Sequence, residues 1–544
     1  MNTSYKHEKT ESSAYSERKI KSIVGTALFT ISFGILLYCS YLCLSNDIWY
    51  DELFSIEFAK RPISEMIKLT AADVHPPLYY IIVHFAISVS EAIHISPIMG
   101  AKLASVVPYF ILWIYGLTAV RKRYDFLIGS LFSLAVCAMP NMVEYTTEIR
   151  MYGYVILFIT AMCIHSAPFI EKDKERQIKG LKWGKVFPIF AYGLLACYTQ
   201  YYAAVAVFCI YLFLVVWSIR KNVWQLGILF ISGNLSLILY YPWISTVVSQ
   251  VGTVSENYWI QDLTWRSIGG VVKYLTLPGF TTKLVAFAFA GILAILMAVV
   301  VFRNIKDAYM WLCFSPIIGI VIFGFAASFL IRPFFVYRYM LPGMGAFWYG
   351  IVIAVASSYE KAEDKADTER QTDDNKLRLA RYSALVLIGI MVIVGIRDFW
   401  AFRGNELYRR VNMVKTDELF DELRKGDNLV IISNFDHVDG LLAFYMNDFE
   451  GREDNVQIPV LLYESQPEAL IQKMVPGVGS AEDGVAVRDL LEDGKRVLFL
   501  GSFNSREDIV ANWQEEYGIA NENQGSYLME RYWFDVFELE LENK

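Results

Sequence analysis

The chain has 544 residues, 55% of them hydrophobic and 19% charged, with a mean hydropathy of +0.35, a balance that excludes an ordinary water-soluble protein and describes a polytopic membrane protein. The net charge of −7 comes with basic loops and an acid-rich tail and without a polybasic stripe, which excludes a nucleic-acid surface. All seven cysteines lie inside apolar runs and read as small buried hydrophobes, which leaves no disulfide framework and no thiolate metal site.

In chain order, a polar, lysine-bearing N-terminus runs to Lys21 and is followed by an apolar stretch too long and bulky for a signal-peptide core. It reads as a first transmembrane helix that is retained. A crossing needs about 20 largely apolar residues, and basic loops tend to stay cytoplasmic. Such loops are ERKIK before Ser22, RKR at Arg121–Arg123, the run after Ile170, RKN at Arg220, RNIK at Arg303 and the mixed-charge segment from Glu360 to Arg381. With all of them inside, about eleven crossings are expected, near residues 22–44, 99–120, 126–140, 151–170, 186–199, 202–219, 224–247, 284–302, 308–330, 339–358 and 382–397. The apolar run Pro77 to Val89 would break the charge parity if it crossed, so it reads as an interfacial helix in the first outside loop. The expected architecture is therefore an all-α polytopic membrane domain over residues 1–400 and a small soluble α/β domain over 401–544, with the N-terminus cytoplasmic, the tail extracytoplasmic and the chain in the plasma membrane. In the tail, short apolar strands alternate with helical patterns through NLVIIS, VDGLLAFYMN, PVLLY, RVLFLGS and finally SYLMERYWFDVFELEL, which favours a partly parallel sheet. GSFNSRED, at the end of RVLFLGS, lacks both GxGxxG and a Walker lysine and so is not a phosphate loop.

The outside connections collect polar groups at headgroup height. The first holds WYDELFS and AADVHPPLYY, with Asp51, Glu52, Asp73 and His75; the second is PNMVEYTTEIRMYGY, with Glu144, Glu148, Arg150 and Tyr152. TQYY adds Tyr201 and Tyr202, and IRPFFVYRYMLP adds Arg332, Arg338 and Tyr339. Charges near hydrocarbon are costly and are retained for a partner or a pathway. Each residue also has a plainer role: the tyrosines as belt anchors, Arg332 and Arg338 as snorkels to lipid phosphate, and the Asp51–Glu52 pair as a helix cap. Taken together, a carboxylate that takes a proton from a hydroxyl and arginines that hold a departing phosphate suit a substrate anchored in the bilayer, a polyprenyl-phosphate sugar.

These motifs, together with CYTQYYAAVAV at Cys197–Val207 and YRYMLPGM at Tyr337–Met344, resemble the GT-C superfamily of lipid-linked-sugar glycosyltransferases. The resemblance is to the branch of the protein O-mannosyltransferases, the aminoarabinose transferases of lipid A and the RgtA/B/C/D-like enzymes, and it covers roughly residues 20–400. It implies transfer of a sugar from a polyprenyl-phosphate monosaccharide to an extracytoplasmic acceptor, with inversion. The acceptor is a protein, a lipid or a cell-surface glycan. It also implies Asp51 as the base with Glu52 beside it, His75, Arg150, Arg332, Arg338 and Tyr339 at the donor phosphate, and Asp73, Glu144, Glu148, Tyr152, Tyr201 and Tyr202 around the substrate. No metal is assigned, although Asp51, Glu52 and His75 carry ligand atoms for a divalent cation. The rival function class is a lipid or sugar transporter or flippase. Transporters gather their charges at the midplane in paired repeats, whereas here the charges gather at outside ends and no repeat is visible.

Overall fold

The computed structural model describes residues 2–73, 75–170, 183–253, 262–366, 374–435, 438–448, 457–466, 472, 474–529 and 531–542. Most of the basic loop after Ile170 and part of the mixed-charge run after Glu360, both read as cytoplasmic, lie outside the described residues. By its contacts the chain divides into two compact units, Met1–Leu44 with Pro62–Phe402, and Ser45–Arg61 with Arg403–Lys544.

The helices in chain order are α1 (Asn2–Ser45), α2 (Tyr50–Lys60), α3 (Ile63–Ala72), α4 (Leu78–Ala92), α5 (Pro97–Tyr115), α6 (Phe126–Ala138), α7 (Tyr152–His165), α8 (Trp183–Cys197), α9 (Tyr201–Lys221), α10 (Gln225–Thr253), α11 (Arg266–Thr276), α12 (Lys283–Arg303), α13 (Ala308–Leu330), α14 (Leu341–Ala366) and α15 (Asp374–Leu423). Nine helices among the described residues are long and apolar enough to cross a membrane. Two more of the expected crossings, α6 and α8, have only 13 and 15 residues. In α6 every residue but the first is buried, so protein rather than lipid surrounds it and its length need not match the hydrocarbon.

Burial sorts the long helices. The apolar windows of Tyr152–Ile170 and Tyr337–Tyr359 are 89% buried and form the middle of the first unit, whereas that of Gln225–Gln250 is 17% buried and exposes Phe230, Ile231, Leu237 and Ile238. Apolar side chains left exposed along such a helix face lipid. Close approach of the inner helices depends on small residues. A Cβ on Gly343 of α14 would come within 2.9 Å of the Ile317 backbone in α13.

The short run after Pro77 is the 15-residue helix α4, which buries Tyr79, Tyr80, Val83 and Ile87 and exposes Phe85 and Val89. This two-sidedness fits the interfacial reading. α15 departs from the sequence expectation by continuing past residue 397 to Leu423, a length of about 75 Å at 1.5 Å per residue. Only its apolar first half suits hydrocarbon; the rest, rich in Glu, Leu, Arg and Lys, forms helix by propensity.

The second unit carries a six-stranded sheet of β1 (Leu429–Ser433), β2 (Val460–Tyr463), β3 (Val478–Ala481), β4 (Arg496–Gly501), β5 (Ile519–Met529) and β6 (Tyr532–Leu541) in the order β3-β2-β1-β4-β6-β5. The first four strands run parallel, and β6 is antiparallel to both β4 and β5. α16 (Asp439–Asn447), α17 (Gly484–Glu492) and α18 (Ser505–Tyr517) are its helices. The all-buried run of β1 and the nearly all-buried run of β4 are what a sheet covered on both faces requires. Trp513 of α18 packs on Phe499 and Tyr463, each at 4.9 Å between ring centres.

Candidate functional site

In the first unit, contacts connect four segments that the sequence reading singled out separately. α3 ends at Ala72, and Asp73 beyond it accepts a hydrogen bond from Nδ1 of His75 at 3.0 Å. That bond fixes the ring and leaves Nε2 for a ligand. The end of α3 is held by Gln250 of α10, whose amide donates to the carbonyls of Thr70 (3.0 Å) and Ala71 (3.1 Å). Gln250 in turn accepts from the Tyr201 hydroxyl, which also receives the Trp243 indole N–H at 3.2 Å. Beside it, Tyr202 donates to the Phe334 carbonyl at 3.0 Å and stacks on Tyr339, 4.7 Å between ring centres.

A second run of contacts continues from the 337–339 segment. Tyr337 stacks on Tyr274 of α11, and the Tyr274 hydroxyl donates to that of Tyr145 at 3.4 Å. Tyr145 meets Tyr152 edge-on at 5.0 Å, and Asn141 donates to the Tyr274 carbonyl at 2.5 Å. Burial, then Tyr274, Glu144 and Glu148, push the Tyr145 hydroxyl far above its ordinary range, so it stays protonated and available as a donor. Arg150 is buried at 6% exposure, Arg332 and Arg338 are half-buried, and the Arg332 guanidinium lies 4.8 Å from the centre of the Phe334 ring. Glu148 is half-buried and Glu144 exposed. His75, Arg150, Arg332, Arg338, Tyr339, Asp73, Glu144, Glu148, Tyr152, Tyr201 and Tyr202 all belong to the first unit.

Sequence reasoning passed over Gln250, Tyr274 and helix α11, reading residues 249–283 as a loop. The missed signal is the helical spacing of Trp265, Ile268 and Val272, which form an exposed apolar stripe. Gly270 allows α11 to lie against Tyr337, since a Cβ there would come within 1.9 Å of the Tyr337 hydroxyl. Gly270→Ala is expected to displace Tyr337 and reduce turnover several-fold in a membrane assay with unchanged expression. Gly269→Ala, where a Cβ meets open space, is the matched control and should be silent.

Asp51 and Glu52 belong to the second unit. They open α2, where Oε2 of Glu52 accepts from the Trp49 N–H at 3.0 Å and satisfies a donor that the helix cannot. The plainer role foreseen for the pair, capping, is therefore what Glu52 does here, although it caps α2 itself rather than the amphipathic segment after it. Both carboxylates sit in the first turn, where the helix dipole favours them, and α2 stops at Arg61, before Pro62. Asp51 is half-buried, and its carbonyl accepts from Ser55 Oγ at 3.2 Å.

The rest of α2 is embedded in its own unit. Leu53, Ile56, Phe58 and Ala59 are fully buried. The Tyr445 hydroxyl donates to the Ile48 carbonyl (3.0 Å) and accepts from the Ile48 N–H (3.1 Å). Lys60 pairs with Glu57 at 3.0 Å and with Asp448, and its ammonium lies over the Phe444 ring. Burial raises the Glu57 carboxyl above its ordinary range, with Lys60 opposing. Among the described residues, no three His, Cys, Asp or Glu side chains are grouped to hold a metal ion.

No protein-family model matches the sequence, and no curated protein does. Solved structures do match. ArnT from Cupriavidus metallidurans in the apo state aligns with a TM-score of 0.57, and the same protein bound to undecaprenyl phosphate with 0.54. Each is 12% identical, over 94% of this chain and 98% of that chain. The likeness is one of fold: over nearly its whole length this chain has the fold of those ArnT structures.

Proposed function

We propose that the protein is an integral-membrane glycosyltransferase that moves a sugar from a polyprenyl-phosphate-linked monosaccharide to a hydroxyl of a protein, lipid or surface-glycan acceptor on the extracytoplasmic side. The observation that carries this reading is the fold shared over nearly the whole chain with an ArnT that binds undecaprenyl phosphate. The hydroxyl and aromatic contacts that connect these segments of the first unit, with Arg150, Arg332 and Arg338 on the same segments, support it.

In this reading Asp51 takes the acceptor proton as the acceptor oxygen attacks the anomeric carbon. The bond from that carbon to the phosphate oxygen breaks, and its electron pair leaves with the polyprenyl phosphate. One displacement inverts the anomeric centre. His75, Arg150, Arg332, Arg338 and Tyr339 meet the phosphate charge as it develops, an electrostatic role that preorganised donors fill without reorganising. Asp73, Glu144, Glu148, Tyr152, Tyr201 and Tyr202 shape the surroundings of the sugar and its carrier. Glu52, by capping α2, positions the turn that bears Asp51.

Arg338→Ala tests the phosphate assignment. A charge-assisted hydrogen bond contributes about 1.5–3 kcal/mol, so the apparent KM for a purified polyprenyl-phosphate sugar is expected to rise by roughly ten- to a hundredfold. Detergent-extracted protein should remain monodisperse. An unchanged donor KM removes Arg338 from the phosphate site.

A further inference from the structure

The second unit contains a crevice that the transfer chemistry does not use. Its parallel strands lie in the order β3-β2-β1-β4, so the chain leaves β1 toward β2 on one side and places β4 on the other. In such sheets the connections part at the carboxyl ends of the two central strands, and ligands bind in the gap. Here that end holds a cavity of about 440 Å³, within the usual size range for small-ligand sites. Its lining comes from the segment just after β1 (Asn434), the end of β2 (Tyr463, Glu464) and the first turns of α18 (Ser505, Asp508, Asn512).

Three observations give the ligand class. First, the lining contains carboxylates, amides, the hydroxyls of Ser505 and Tyr463 and the apolar Ile509, but no lysine, arginine or histidine. The first turn of α18 already carries Glu507 and Asp508, which satisfy the helix dipole, and the neighbouring Arg506 is paired with Asp535. An anion would meet negative charge there. Second, the floor is built. Asn434 accepts from the Ser502 N–H at 2.8 Å and donates to the Ser502 carbonyl at 2.9 Å and to Ser505 Oγ at 3.2 Å, joining the ends of β1 and β4. Third, two non-glycine residues at these strand ends adopt left-handed backbone, Glu464 (φ 53°) and Phe503 (φ 61°). Backbone held this way clusters at ligand sites. Phe503, two residues before Ser505 of the lining, is 50% exposed and packs edge-on at 4.8 Å against Phe435, the residue after Asn434.

We infer that this crevice is a binding site for a neutral saccharide: its carboxylates and amides would bridge adjacent hydroxyls, and Phe503 would carry the apolar face of a pyranose ring. The inference rests on the second unit alone and holds or fails independently of the transfer reading.

The test is saturation-transfer NMR on the full-length protein in nanodiscs, with no lipid-linked donor present. The probes are the methyl glycosides of glucose, galactose, mannose and N-acetylglucosamine, with glucose 1-phosphate as the anionic counterpart. At least one neutral glycoside is expected to show saturation, falling at least fivefold in Glu464→Gln/Asp508→Asn and in Phe503→Ala. Glu464 and Asp508 are exposed, so the double variant should keep its unfolding midpoint, and it decides the assignment where Phe503→Ala lowers the midpoint by uncovering Phe435. No saturation of any neutral glycoside, an equal signal in the variants, or a stronger signal from glucose 1-phosphate overturns the assignment. Asp51→Asn should leave the binding signal unchanged, whether or not it abolishes transfer.

Discussion

Replacing Asp51 with asparagine is expected to lower sugar transfer by about 10²–10⁴-fold, the range that loss of a positioned general base produces. Folding should survive the change. Asparagine keeps the shape of the side chain, Glu52 keeps the cap, and the buried side of α2 is untouched. The measurement is turnover of a purified polyprenyl-phosphate sugar with matched expression and membrane insertion. Normal turnover in the variant would remove Asp51 from the chemistry. Glu52→Gln separates the two neighbours: an amide oxygen still caps Trp49 N–H, so it should retain most of the activity if capping is its role.

Truncation of residues 405–544 is expected to abolish donor hydrolysis as well as transfer to acceptor. The segment bearing Asp51 belongs to the same compact unit as that tail. Without it α2 would lose the rest of its compact unit, and with it the pairing of Lys60 with Asp448 and its packing over the Phe444 ring. Ile48 would lose both backbone hydrogen bonds to Tyr445. A milder version is Tyr445→Phe, which strands a buried N–H and a buried carbonyl at about 1–3 kcal/mol each. It should lower the unfolding midpoint and reduce turnover in parallel. Full donor hydrolysis by the truncated chain would show that α2 needs no such support.

The bundle was legible because long apolar runs have one stable solution in lipid, and the charge parity that kept Pro77–Val89 out of the count agrees with a two-sided helix there. β1, β2 and β4 were legible as short apolar runs. β3 was not, since VGSA has a single β-branched residue followed by a glycine and a serine, too little to mark a strand. SYLMERYWFDVFELEL reads as one segment, but it contributes to both β5 and β6, with the reversal between Met529 and Tyr532. At the candidate site, residue types were readable and their support was not. Gln250 meets Thr70 across 180 positions and Tyr274 meets Tyr145 across 129, and periodicity holds no record of such partners. Glu52 shows a different limit. A cap and a catalytic carboxylate want the same residue at the same helix end, so sequence alone leaves both roles open.

The division of contacts also sets a schedule for synthesis. α2 is made early, yet the rest of its compact unit begins at Arg403, about 340 positions later. At roughly 5–20 residues per second, the ribosome leaves α2 without that partner segment for roughly 20–70 s. During that interval the segment is joined to a nascent membrane protein and lacks the Ile48–Tyr445 and Lys60–Asp448 contacts that tie it to its unit. Completion of the unit that holds the Asp51 turn is thus one of the last events in the synthesis of this protein, and a chain stalled near residue 404 would contain the apolar part of every candidate membrane helix described above and still lack the rest of that unit.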